Sequence, residues 1–91
     1  MVSKKQQENL AKIDKAINSL KHVADNVLAP KNVRKFVKNS ISVLQDSSLS
    51  PAVRAANAIS LLDEILQDQN MPNFIRVTLW QVLSILEGIK E

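Results

Sequence analysis

The residues able to do chemistry in this chain are few. His22 is the only histidine and there is no cysteine. A Ser-His-Asp, Cys-His or multi-histidine metal arrangement within one chain is therefore impossible or one member short. His22 itself falls beside Val23, off the apolar stripe of its helix, and is expected at the surface. Asp63 and Glu64 could in principle share acid–base work, but adjacent helical residues point about 100° apart. Together with Ser60 and Gln67 they describe a solvated outer face. No Glu-x-x-His pair is present for a carboxylate-bridged metal pair. With one glycine in 91 residues, a Gly-rich phosphate loop is absent as well. These residues predict a non-enzymatic protein without metal or cofactor.

Charge is the second source of chemistry, and it is unevenly placed. Residues 1–40 hold nine basic groups against Glu8, Asp14 and Asp25, whereas the whole chain carries a net charge of only +3. Lys31, Lys35 and Lys38 recur at i, i+4 and i+7, which sets them on one helical face beside Arg34 as a basic stripe suited to phosphate contacts. Against nucleic-acid binding stands the aromatic content. Phe36, Phe74 and Trp80 are the only aromatic residues, and none is interleaved with the stripe as a base-stacking platform requires. Attraction between the basic and acidic halves of the folded chain explains the asymmetry equally well.

The elements that must position these groups follow from proline spacing. Pro30, Pro51 and Pro72 stand 21 residues apart, each followed by apolar residues at helical intervals. Proline suits the first position of a helix, where its missing N–H has no partner to lose. Apolar stripes such as Leu10, Ile13, Ile17, Leu20, Ala24 and Val27 predict helices over about 5–28, 31–46, 51–68 and 72–89. No segment alternates with period two, so no sheet is expected. Connections of two to five residues make consecutive helices antiparallel, which predicts one all-α domain over 1–91. Its form is a four-helix up-and-down bundle of the bromodomain-like class. The segment Pro51-Ala52-Val53-Arg54 with Ala55, Ala56 and Ala58 behind it also resembles the second helix of HEAT-type repeats, leaving a short pair of HEAT-like helical hairpins as the alternative.

Each predicted corner also brings an acid close to an arginine. Arg34, Arg54 and Arg76 lie near helix starts, where a cation opposes the macrodipole, and Asp25, Asp46 and Asp68 lie near helix ends, where a carboxylate does. Pairing Asp25 with Arg34, Asp46 with Arg54 and Asp68 with Arg76 would answer both placements. The alternative leaves these arginines free for a phosphate or a partner carboxylate.

The last helix gives the sharpest positional expectation. With Ile75 at 0° and about 100° per residue, Leu79, Val82, Leu86 and Ile89 point to the core. Val77 and Trp80 fall among Asn73, Ser84 and Glu87 on the opposite side. An exposed Trp is enriched at interfaces. Val77 and Trp80 are thus the candidate surface for a protein partner or for self-association, unless a neighbouring helix or the N-terminal segment covers them.

The stretch from Ser50-Pro51-Ala52-Val53-Arg54 to Asp63-Glu64-Ile65 carries a recognisable pattern. It continues through Asp68-Gln69-Asn70-Met71-Pro72 and Arg76-Val77-Thr78-Leu79-Trp80 to Ser84 and Glu87. It resembles Uncharacterised Protein Family 0147, a group of small archaeal proteins. The resemblance covers nearly the whole chain and is most specific over 50–87. It implies a small up-and-down four-helix bundle and assigns no activity, cofactor or site residue. The polar start of the sequence, Met1-Val2-Ser3-Lys4-Lys5, and the lack of a run of about 18 apolar residues lead us to expect a cytoplasmic protein with no membrane span.

Overall fold

Three corners divide the chain into four helices. In a computed structural model, which describes residues 3–90, these are α1 (Lys4–Ala24), α2 (Lys31–Leu44), α3 (Pro51–Ile65) and α4 (Asn73–Glu87). A capping box opens α1: the Ser3 hydroxyl accepts from the Gln6 N–H, and the Gln6 side chain accepts from the Ser3 N–H, each at 3.1 Å. Ser50 caps α3, with Pro51 in its first turn. Pro30 and Pro72 sit one position earlier than expected, as the N-cap residues of α2 and α4. With φ near −57° and ψ near 150° they are still extended, and the helix begins at the next residue.

Every helix ends sooner than its apolar pattern suggests. Val27 continues the stripe of α1 in sequence, yet it is 84% exposed, because the chain turns at Asp25 and Asn26 before reaching it. The Asn26 carboxamide accepts from the Leu28 N–H at 2.9 Å, and this competes with continuation of the helix.

The helices close into a bundle. α1 packs against α2 and α4 and also reaches across to α3, while α2 and α4 do not meet. Two stacked HEAT-like hairpins would place α4 beside α2 and away from α1, so the contacts select the closed bundle over that alternative. The long axis of the molecule is 44 Å against 20 and 19 Å across. The core runs through Ile13, Leu20, Val33, Val37, Leu44, Leu62, Ile75, Leu79, Val82 and Leu86, and all five core positions expected on the last helix are buried. Among the described residues, two polar side chains are buried with them, both satisfied: Ser40 donates to the Phe36 carbonyl, and Asn9 donates to the Lys90 carbonyl.

The antiparallel pairing of α1 with α4 can be followed residue by residue. Asn9 bonds Lys90, the Lys12 ammonium bonds the Gly88 carbonyl at 3.0 Å, and Lys15 and Ser19 share a groove with Gln81 and Ser84. A Cβ on Gly88 would stand 3.3 Å from the Ile85 carbonyl and 3.4 Å from the Lys12 Nζ, the first slightly tight and the second an ordinary contact. At one end of the bundle Asn32 donates to the Asp68 carboxylate at 2.6 Å, tying the α1–α2 corner to the α3–α4 corner.

Candidate functional site

The three corners repeat one design. Asn26, Asp46 and Asp68 each accept, through the side chain, the N–H two residues on: Leu28, Ser48 and Asn70. Four residues after each comes the N-cap (Pro30, Ser50, Pro72), and eight residues after each comes the arginine (Arg34, Arg54, Arg76). The repeat places Asn26, not Asp25, at the first corner. Asp25 is the exposed C-cap residue of α1.

The arginines of the second and third corners bond to something other than the expected carboxylates. Arg54 Nε donates to the Leu49 carbonyl at 2.8 Å. Arg76 donates through Nη1 to the Leu66 carbonyl and through Nη2 to the Asp68 carbonyl, the latter at 2.8 Å. The physical reason lies in carbonyls that no helix supplies with a donor. Leu66 is the C-cap of α3, where the negative helix pole attracts a guanidinium, and Leu49 and Asp68 lie in the connections outside the helices. The aspartate oxygens, meanwhile, are held by turn N–H groups. Arg34 is different: its Nε is buried and has no acceptor.

The hydrogen bonds to Asp46 and Asp68 lower the pKa of both carboxyls. For Asp46 the Ser48 hydroxyl is the main cause and the Ser48 N–H the second, with the Arg54 charge adding a smaller pull. For Asp68 the causes are the Asn32 amide, then the Asn70 N–H, with a smaller share from Arg76. A depressed folded pKa contributes stability that is present above the ordinary carboxyl value of 3.8 and is lost as pH falls through the folded value. Replacing both Asp46 and Asp68 by Asn keeps the turn acceptor and removes the titration. The double variant is expected to lose less melting temperature than the native chain when pH drops below about 4. Equal losses, followed by helical circular dichroism, would contradict this.

Two surfaces stand out. The first is the outer side of α4, where Phe74, Val77 and Trp80 are respectively 49, 49 and 56% exposed. Val77 and Trp80, expected opposite the core, are uncovered by any described segment. Phe74, at about 260° on the same helical wheel, was within reach of the same reasoning and extends the strip. A groove of about 510 Å³ runs between α1 and α4, lined by Lys15 and Ser19 from one side and Val77, Trp80, Gln81, Ser84 and Ile85 from the other. Val27 and Leu28 are also exposed, at the α1–α2 corner, which the α1–α4 register puts at the Phe74 end of the molecule. Nothing in the spacing of Val27 or Leu28 marks them as surface residues; their exposure depends on where α1 stops.

The second surface is the basic stripe. Lys31, Lys35 and Lys38 are exposed and share a groove of about 660 Å³ with Asn32, Arg34 and Asn39. Among the described residues no cluster of three or more His, Cys, Asp or Glu side chains is placed to hold a metal ion. His22, Asp63 and Glu64 are separately exposed. No described helix is long and apolar enough to cross a membrane.

Similarity to known proteins extends over both sequence and fold. The sequence model of the Uncharacterised protein family (UPF0147) matches residues 1–89. A UPF0147 protein from Sulfurisphaera tokodaii is 50% identical over 84 residues, covering 92% of this chain and 94% of that one. The Metallosphaera sedula protein is 51% identical over 84 residues, with the same coverage of each chain. A crystal structure of a UPF0147 protein from Thermoplasma acidophilum superposes with a TM-score of 0.85 at 28% identity, over 92% of this chain and 99% of that chain. A second crystal structure, of a protein of unknown function, gives a TM-score of 0.86 at 32% identity, covering 88% and 91% of the respective chains. The four-helix bundle with three proline corners thus belongs to a member of the uncharacterised protein family UPF0147.

Proposed function

We propose that this chain is a non-enzymatic, cytoplasmic interaction module that works through the outer side of α4. Its best-fitting partner is a second copy of itself. The observation that carries the reading is Trp80, a large aromatic side chain 56% exposed on the wall of a groove between α1 and α4. A protruding side chain and an adjacent groove on one face make a surface that is complementary to itself under two-fold rotation, since each copy offers the knob its partner's groove receives. Charge supports the same occupant. From Val77 to Leu86 there is no charged residue, so the α4 strip itself brings no charge into such a contact. Lys15 on the far wall of the groove is placed to sit against an incoming indole, a favourable cation–π partner.

The test is mass in solution. Light scattering on the native chain at rising concentration is expected to move from the 10.1 kDa monomer toward twice that value, and Trp80→Ala is expected to remain monomeric. A native chain that stays monomeric throughout would refute self-association through this face.

A further inference from the structure

A second site lies on α2, away from the α4 surface and independent of it. Over Lys31–Leu44 this helix carries four cations and no carboxylate. All four cations, Lys31, Arg34, Lys35 and Lys38, line a single groove together with Asn32 and Asn39. We propose that this groove binds the phosphodiester backbone of a nucleic acid without reading its bases.

Three observations point to that ligand. The first is Arg34. In the repeated corner it holds the place of Arg54 and Arg76, whose guanidiniums are bonded to backbone carbonyls of the corner that precedes their helix. Arg34 has a buried Nε with no acceptor, so its hydrogen-bonding capacity is the unmatched one of the three. The Nε itself is enclosed, but an anionic oxygen in the groove would meet the Nη end of the same guanidinium, a charge-assisted donor.

The second is the shape of the charge. From Lys31 to Lys38 the cations are spread along about 10 Å of helix at 1.5 Å per residue, instead of converging on one point. A row of that kind suits successive phosphates along a chain better than a single phosphate ion. The third is what the groove lacks. It is lined by Lys, Arg and Asn, whose aliphatic stems supply most of the wall, and it has no aromatic or other hydrophobic residue to anchor a peptide. Those three residue types make backbone contacts to nucleic acids, which position the ligand without specifying sequence. The Asp68 carboxylate at the Asn32 end is occupied by the Asn32 and Asn70 amides. α2 and α4 do not touch, so filling one surface leaves the other open.

The experiment measures binding of a fluorescent duplex of arbitrary sequence, DNA and RNA in separate arms, from about 50 to 200 mM salt. Three proteins are compared: the native chain, the triple variant Lys31→Gln, Lys35→Gln, Lys38→Gln, and a control with Lys4, Lys5 and Lys21 changed to Gln. The two variants carry the same net charge, and circular dichroism verifies that both keep their helices. In at least one arm the native chain is expected to bind with an affinity that falls steeply with salt. The α2 variant should lose at least about tenfold, with the logarithmic salt slope reduced by about three, one per lysine. The control should lose less than about a third of that on a logarithmic scale. Absence of salt-dependent binding in both arms, or an equal loss in the control, would overturn the proposal. So would equally tight binding of poly-glutamate, or displacement of the duplex by inorganic phosphate at constant ionic strength.

Discussion

Leu79→Ala is expected to destabilise the bundle by about 3 to 4 kcal/mol, and Trp80→Ala, one residue on, by less than about 1. The contrast follows from position alone. Leu79 is 0% exposed in the middle of the core cluster, whereas Trp80 stands on the outside of the same helical turn. Truncating Leu79 removes the transfer free energy of its buried carbons and leaves a cavity that helices fixed by short corners can only partly fill. Against a total stability of about 5 to 14 kcal/mol for a chain of this length, that is a large fraction. It should appear as a fall of roughly 15 to 25 °C in melting temperature. Trp80 loses mainly solvent-exposed area, so its variant should melt near the native value while failing to associate. Thermal melts of both variants at low protein concentration separate core packing from surface recognition. Similar melting temperatures for the two would mean that the assignment of inside and outside on α4 is wrong.

Arg76→Met is expected to cost about 2 to 4 kcal/mol, a large effect for a side chain that is not fully buried. Met keeps most of the aliphatic stem and its packing but removes the donors that hold the Leu66 and Asp68 carbonyls. Those carbonyls, at and just beyond the end of α3, are then left without their donors in a part-buried corner. Arg76→Lys should recover less than half of the loss, because one ammonium cannot serve two carbonyls with the geometry of a planar fork. Arg34→Met supplies the internal control. It makes the same chemical change at the matching place of the first corner, where the buried Nε has no acceptor, and is expected to cost less than about 1 kcal/mol. Urea unfolding of the three variants measures all of this. A loss at Arg34 equal to that at Arg76 would show that the corner arginines contribute through packing or net charge instead of these bonds.

Much of the bundle was legible before any coordinates because its signals are local. Proline spacing, the 3-4 rhythm of Ile13, Ile17 and Leu20, and short polar connections each depend only on neighbouring residues. The helical wheel placed Leu79 inward and Trp80 outward for the same reason. The corners were read less well. Opposite charges at Asp46 and Arg54 suggested an ion pair, and Coulomb attraction does act between them, but a competition decides the hydrogen bonds. The turn amide and hydroxyl of Ser48 take the carboxylate, and the carbonyl of Leu49 takes the guanidinium. Charge points to Asp25, whereas the eight-residue interval to Arg34, shared with the other two corners, points to its neighbour Asn26. The end of α1 is not legible because an apolar stripe has no stop signal of its own, and Val27 keeps the rhythm after the backbone has turned.

One property of the corners bears on heat. Among the described residues the chain makes three reversals with no residue in the left-handed region, and the single glycine, Gly88, has φ of −78°. A proline stands at the end of each reversal, as the N-cap or first residue of the helix that follows. Turns built on glycine leave the denatured chain with extra conformations that must be surrendered on folding, while a proline in a compatible position has removed them in advance. At about 0.4 to 1 kcal/mol each, three prolines raise the free energy of the disordered chain by roughly 1 to 3 kcal/mol without adding a contact to the folded one. A comparable share of this bundle's resistance to unfolding therefore resides in conformations the denatured chain is denied.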